Sequence, residues 1–129
     1  MAEDFYSAQV REHLAQPRNA GPMQDPDAVG VQANPICGDT LKLMLHIDGD
    51  RVTEVRWQTV GCEPAKAASS IASELATGLN LDEVEALSPE SIGEAAGGFP
   101  SGKEHAASLA SGALRRAVAA YRASHPPGT

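Results

Sequence analysis

Four side chains in this sequence could make a metal or sulfur site: the thiols of Cys37 and Cys62, the carboxylate of Asp39 and the imidazole of His105. Sulfur, oxygen and nitrogen donors in that mixture suit zinc or iron, and a tetrahedral site needs four. Cys37 and Asp39 share one short stretch, Asn-Pro-Ile-Cys-Gly-Asp, in which Gly38 has the backbone freedom to fold the carboxylate beside the thiol. Cys62 stands just ahead of a helical pattern, where exposed N–H groups are expected to favour the thiolate and lower its pKa. Both cysteines are candidate sulfur acceptors, with Cys62 the better one on that ground. Each residue alone has a plainer alternative: Cys62 as a small core side chain, Asp39 as a turn former, His105 as a polar residue at a helix start. His13, His46 and His125 read as surface histidines without partners, and no Cys-x-x-Cys pair is present.

The elements that must position these residues follow from periodicity. Leu41, Leu43, Leu45 and Ile47 alternate with Lys42, Met44, His46 and Asp48, which predicts a strand with one buried face. Asp48-Gly49-Asp50 supplies a turn, and residues 51–60 return as a second alternating strand with Val55 and Trp57 on one side. Pairing about Gly49 sets Thr40 opposite the region of Val60, so the residues flanking the hairpin, Cys37 and Cys62, come to the same end. The segment Val29–Ala33 can add a third antiparallel strand.

Helical spacing covers the remainder. Phe5, Val10 and Leu14 mark a short amphipathic helix within residues 4–16, with Asp4 as its cap and Pro17 as its end. Pro64 suits the first turn of a helix carrying Ala68, Ile71, Ala72, Leu75 and Ala76, which Gly78 stops. Residues 81–100 read as two short helices broken at Ser88-Pro89 and closed by Gly97-Gly98. A last helix is expected from Ser101, with Ser101 and Glu104 as a capping box and a core stripe through Leu109, Ala113, Leu114, Ala117, Val118 and Tyr121. His105 lies one helical step before Leu109 and so leans toward the sheet. The expected architecture is α+β: a three-stranded antiparallel sheet with helices packed mainly on one face.

Size and composition agree with one domain over residues 1–129, frayed at about 1–3 and 124–129. Two Phe, two Tyr and one Trp leave the core to small aliphatic residues, which implies close helix packing. Net charge is −7 with scattered basic residues, which argues against nucleic acid and favours basic protein partners. The acidic N-terminus is unlike a signal peptide and no apolar run would span a bilayer, so the chain reads as cytoplasmic, with reduced thiols and no membrane partner. No acid/base pair or activated Ser suggests an enzyme, and no catalytic residue is assigned.

The stretches YSAQVREHLAQPRNAG, NPICGD, VGCEPAKAASSIASELATG and KEHAASLASGALRRAVAAY resemble, in the same order and over nearly the whole chain, the IscU/NifU N-terminal family of iron-sulfur cluster assembly scaffolds. The resemblance implies that Cys37, Asp39, Cys62 and His105 occupy that family's ligand positions. It implies a [2Fe-2S] cluster or iron as what is carried, with a cysteine desulfurase and iron-sulfur acceptor proteins as partners. The family's third Cys directly follows the His; here that position is Ala106, whose methyl can neither ligate nor accept sulfur. Phe99, Ser101 and Gly102 depart from the Leu-Pro-Pro-Val-Lys segment read by a dedicated DnaK-type chaperone, which argues against that partner. The insertion typical of the SufU branch is also missing.

Two functional expectations compete, with a third behind them. One is a scaffold holding iron or a [2Fe-2S] cluster on two thiolates, an imidazole and a carboxylate, since mixed Cys and His ligation of clusters is chemically established. The other is a zinc-binding or desulfurase-regulating paralogue that no longer builds clusters. The third is an interaction module that binds no metal.

Overall fold

The computed structural model describes residues 5–34 and 38–126; Cys37 and Asp4 fall outside them. Among the described residues eight elements run in order: α1 (Ala8–Ala15), β1 (Ala28–Asn34), β2 (Asp39–Asp48), β3 (Arg51–Val60), α2 (Glu63–Ala76), α3 (Leu81–Glu85), α4 (Pro89–Ala95) and α5 (His105–Ser124). The three strands form one antiparallel sheet in the order β1-β2-β3. Thr40 pairs with Val60, as the hairpin periodicity predicts, and Asn34 pairs with Asp39.

Leu41, Leu43 and Leu45 are fully buried beneath the helices, each contributing about 2 kcal/mol of hydrophobic stabilisation. Val55 and Trp57 join them from β3, and an irregularity between His46 and Ile47 brings Val52 to the same side. Met44 departs from the simple alternation, being buried although it belongs with exposed Lys42.

α5 lies over β1 and β2, α2 lies over β3, and the two helices touch. The small-residue core does permit close approach. A Cβ added at Gly30 in β1 would stand 2.1 Å from the Ala113 carbonyl oxygen of α5. The expected stripe of α5 is buried from Leu109 through Val118, with Tyr121 half-buried at its end.

Local sequence signals place most helix ends and miss two. Asn80 and Glu83 form a capping box at α3, Ser88 caps α4, and Pro64 lies in the first turn of α2. At α1 the cap is Ser7 instead of Asp4: its Oγ accepts from Val10 N–H and donates to the Ala96 carbonyl, tying α1 to the end of α4. Phe5 therefore precedes the helix and is exposed instead of joining its core stripe. The expected Ser101–Glu104 capping box does not form either. Lys103 N–H closes a turn on the Pro100 carbonyl, Glu104 accepts from Gly102 N–H, and α5 starts at His105.

The free edge of β3 is covered by the loop after α1. Trp57 N–H donates to the Asn19 carbonyl, Gly21 N–H donates back to the Trp57 carbonyl, and the indole N–H reaches the Arg18 carbonyl at 2.6 Å. Among the described residues no helix is long and apolar enough to cross a membrane.

Candidate metal centre

Three of the four expected donors meet at the end of the sheet away from the Gly49 turn. Asp39 opens β2, Cys62 is the N-cap of α2, and His105 is the first residue of α5. One donor atom from each lies within 4.8 Å of the others. Cys37, two positions before Asp39 in the sequence, lies outside the described residues.

Asp39 is the hub. Its side chain is 1% exposed, and both carboxylate oxygens are used. Oδ1 accepts the Cys62 backbone N–H at 2.9 Å; Oδ2 accepts the Cys62 thiol at 3.2 Å and faces His105 Nε2 at 3.3 Å. Two donors bound to one tetrahedral zinc or iron ion would stand about 3.3–3.7 Å apart, and Oδ2 stands at about that spacing from the thiol and from the imidazole. Oδ1 is committed to the backbone of Cys62, which leaves Oδ2 as the donor.

A residue that donor chemistry does not flag makes this contact possible. Gly61 has φ +147, and a Cβ there would lie 2.1 Å from Asp39 Oδ1 and 2.7 Å from its Cγ. Only glycine lets the carboxylate slide under the backbone before Cys62. In the sequence the signal for it is a glycine directly before the thiol, at Gly61-Cys62.

The electrostatics correct one expectation. The Cys62 thiol is pushed up and not down: burial is the main cause, and the neighbouring Asp39 carboxylate adds to it against the help of the Ala65 N–H. The helix N-terminus does act on the thiol, but it loses to burial, with the Asp39 carboxylate adding to the rise. The preference for Cys62 over Cys37 as sulfur acceptor loses that ground. For Asp39, burial would raise the pKa, yet hydrogen bonds from the Cys62 backbone and thiol and from His105 together hold it below the ordinary carboxylate value.

Tyr6 is half-buried, and its phenol is raised by burial and by the neighbouring Glu63 and Cys62. The expected helix over residues 4–16 would have included Tyr6; in the structure it lies before α1. Ala106 is fully buried within the apolar core.

The other histidines have partners after all. His13 Nδ1 meets Ser70 Oγ at 2.6 Å, and its Nε2 stands 3.5 Å from Glu74. His46 bridges Glu54 and the Gln24 carbonyl, and His125 stacks on Tyr121. None of the three lies in the donor group.

The family model of the NifU-like N-terminal domain matches residues 5–126. This chain belongs to that family. The NifU-like domain is 40% identical over 117 residues to the iron-sulfur cluster assembly scaffold protein IscU 1 of Archaeoglobus fulgidus, covering 91% of this chain and 76% of the relative. It is 35% identical over 121 residues to IscU of Escherichia coli, covering 91% and 94%. A crystal structure of a NifU-like N-terminal protein from Brucella abortus superposes with a TM-score of 0.76 over 95% of this chain and 97% of that one, at 19% identity. That last likeness establishes the fold.

Proposed function

We propose that this NifU-like domain is an iron-sulfur assembly scaffold that carries iron or a [2Fe-2S] cluster as cargo on Cys37, Asp39, Cys62 and His105. The convergence of Asp39 Oδ2, Cys62 Sγ and His105 Nε2 at the mouth of the sheet carries this reading. Relatives named as scaffolds, matched over most of their own lengths, support it. Metal entry replaces the thiol proton that Asp39 now accepts, so Asp39 passes from proton acceptor to ligand or close counter-charge. Sulfur reaches Cys37 or Cys62 from the persulfide of a cysteine desulfurase: the thiolate attacks the outer sulfur, and the donor's thiolate leaves. An external electron donor supplies the two electrons that reduce the persulfide's outer sulfur to sulfide as the cluster forms, and acceptor proteins then take the cluster. The domain works as a carrier in the cytoplasm and not as a catalyst.

Ala106 favours a second reading, a zinc-binding or desulfurase-regulating paralogue that keeps the docking surface but builds no cluster. Its buried methyl offers nothing to an iron ion, so a cluster here has fewer thiolates than one bound by three cysteines. Anaerobic reconstitution with iron and sulfide separates the two. A scaffold develops charge-transfer bands and retains iron and sulfide after desalting. A protein that stays colourless while binding stoichiometric zinc refutes the scaffold reading.

A further inference from the structure

A cleft of about 430 Å³ opens between α4 and α5, beside the donor group but outside it. Its floor is apolar, from Pro89, Gly93, Phe99 and Ala107, and its rim carries Glu90 and Glu104. Glu104 immediately precedes His105, and Ser108 borders both this cleft and a smaller one touching His105. Whatever sits in the cleft therefore lies against the edge of the metal centre.

Gly93 is the informative residue. It lies inside α4, where glycine costs about 0.5–1 kcal/mol relative to alanine. Nothing in the fold calls for it: its φ is not positive, and a Cβ there meets no atom within 4 Å. Gly30, by contrast, is pressed against the backbone of α5. What a side chain at position 93 would take away is the floor of the cleft.

We propose that this cleft docks a short segment of a partner protein that presents one aliphatic side chain followed by Lys or Arg. The aliphatic group fills the space over Gly93 and Phe99, and the basic residues meet Glu90 and Glu104. Among the described residues neither Glu90 nor Glu104 is in a salt bridge, and Glu104 spends only one oxygen, on the Gly102 N–H, so both carboxylates keep an oxygen for a basic partner. The chain's net charge of −7 draws a basic segment from a distance. A second copy of this chain is a poor occupant. Its exposed Phe5 follows Glu3 and Asp4, which would set acid against acid, and its exposed Val31 and Val60 lie within strands. The inference does not depend on which metal the site holds.

The probe is a fluorescent peptide, acetyl-Gly-Leu-Lys-Arg-Gly-amide, titrated against the full chain by anisotropy and by amide NMR, with Leu-Glu-Glu as its acidic counterpart. The basic peptide is expected to shift the amides of Gly93, Gly98, Ala107 and Ser108, and to weaken as salt screens the rim. Gly93→Phe, whose Cβ meets no atom within 4 Å, should occupy the cleft and weaken binding about tenfold or more, and Glu90→Lys should do likewise. Gly93→Ala should raise the melting temperature while keeping most of the binding, which separates cleft filling from misfolding. Equal binding of the acidic peptide overturns the proposal, as do shifts mapping elsewhere, indifference to Gly93→Phe, or concentration-dependent self-association that occupies the same amides.

Discussion

One carboxylate, that of Asp39, holds Cys62 twice. Its Oδ1 takes the backbone N–H at 2.9 Å and its Oδ2 takes the thiol at 3.2 Å, so the first residue of β2 fixes the N-cap of α2. His105 closes on Oδ2 from the start of α5. The site is thus assembled by the junction of a strand and two helices, and its geometry depends on how closely those backbones approach.

Gly61 is where that dependence is sharpest. Gly61→Ala places a methyl 2.1 Å from Oδ1 at a φ of +147, so the carboxylate or the chain before Cys62 has to move. The backbone conformation alone costs about 1–3 kcal/mol. Zinc or cobalt affinity, measured by competition with a chromophoric chelator, should fall at least about tenfold. Unchanged affinity would mean that Asp39 need not stand where it does.

Gly30 tests the packing that carries His105. Gly30→Ala drives a Cβ onto the Ala113 carbonyl oxygen at 2.1 Å and the Ala117 nitrogen at 2.6 Å, and neither backbone atom can swing aside. The change should destabilise the fold by about 3 kcal/mol or more in urea unfolding. A loss under about 1 kcal/mol would contradict the close approach of α5 to β1.

The strands were legible because their signal is local and periodic. Leu41, Leu43 and Leu45 alternate, Gly49 marks the turn, and the pairing of Thr40 with Val60 follows from counting. The convergence of Asp39, Cys62 and His105 was legible for the same reason: register brings the first two together, and helical phase turns the third toward them. What was not legible depended on contacts between distant residues or on competing local bonds. The thiol of Cys62 looks activated from its helix terminus alone, but the fold buries it, and the carboxylate that adds to the rise comes from the start of β2. His13 looks solitary until α1 is laid on α2, where Ser70 and Glu74 await it. At Ser101 a sound capping signal loses to the turn closed by Lys103 on Pro100.

His13 gives the fold a pH dependence of definite sign. Burial lowers its pKa first and Arg18 lowers it further, while Glu74 and Glu12 pull the other way without prevailing. Above the unfolded value of about 6.5 both states hold a neutral ring and the residue adds no slope. Below it the unfolded chain binds a proton that folded His13 refuses, so stability falls with pH until the folded value is passed. His46 acts oppositely: its pKa is raised, first by the Gln24 carbonyl and also by Glu54, so its contribution is full in acid and lost as pH rises. The test is therefore a difference. His13→Gln should lose less stability than the parent chain between about pH 7.5 and pH 5.5 in urea unfolding. Parallel curves would show that His13 titrates normally in the fold.

Ala106→Cys asks whether the missing thiolate is what separates this domain from a three-cysteine scaffold. The Ala106 methyl is fully buried beside Ala107 and Leu109, whereas Cys62 is half-buried at the surface. In the metal-free protein the introduced thiol should react with iodoacetamide more slowly than Cys62, as read by mass mapping. Adding one sulfur to a packed site should change stability by less than about 1.5 kcal/mol. To reach an iron ion the thiol must leave the core, which requires the first turn of α5 to shift; that turn has no side-chain cap bond holding it. On the scaffold reading, reconstituted Ala106→Cys protein should keep its charge-transfer bands several-fold longer in air, and the introduced thiol should become protected once the cluster is bound. A lifetime no longer than the parent's, with the thiol still alkylated at the metal-free rate, would place the site on the side of zinc.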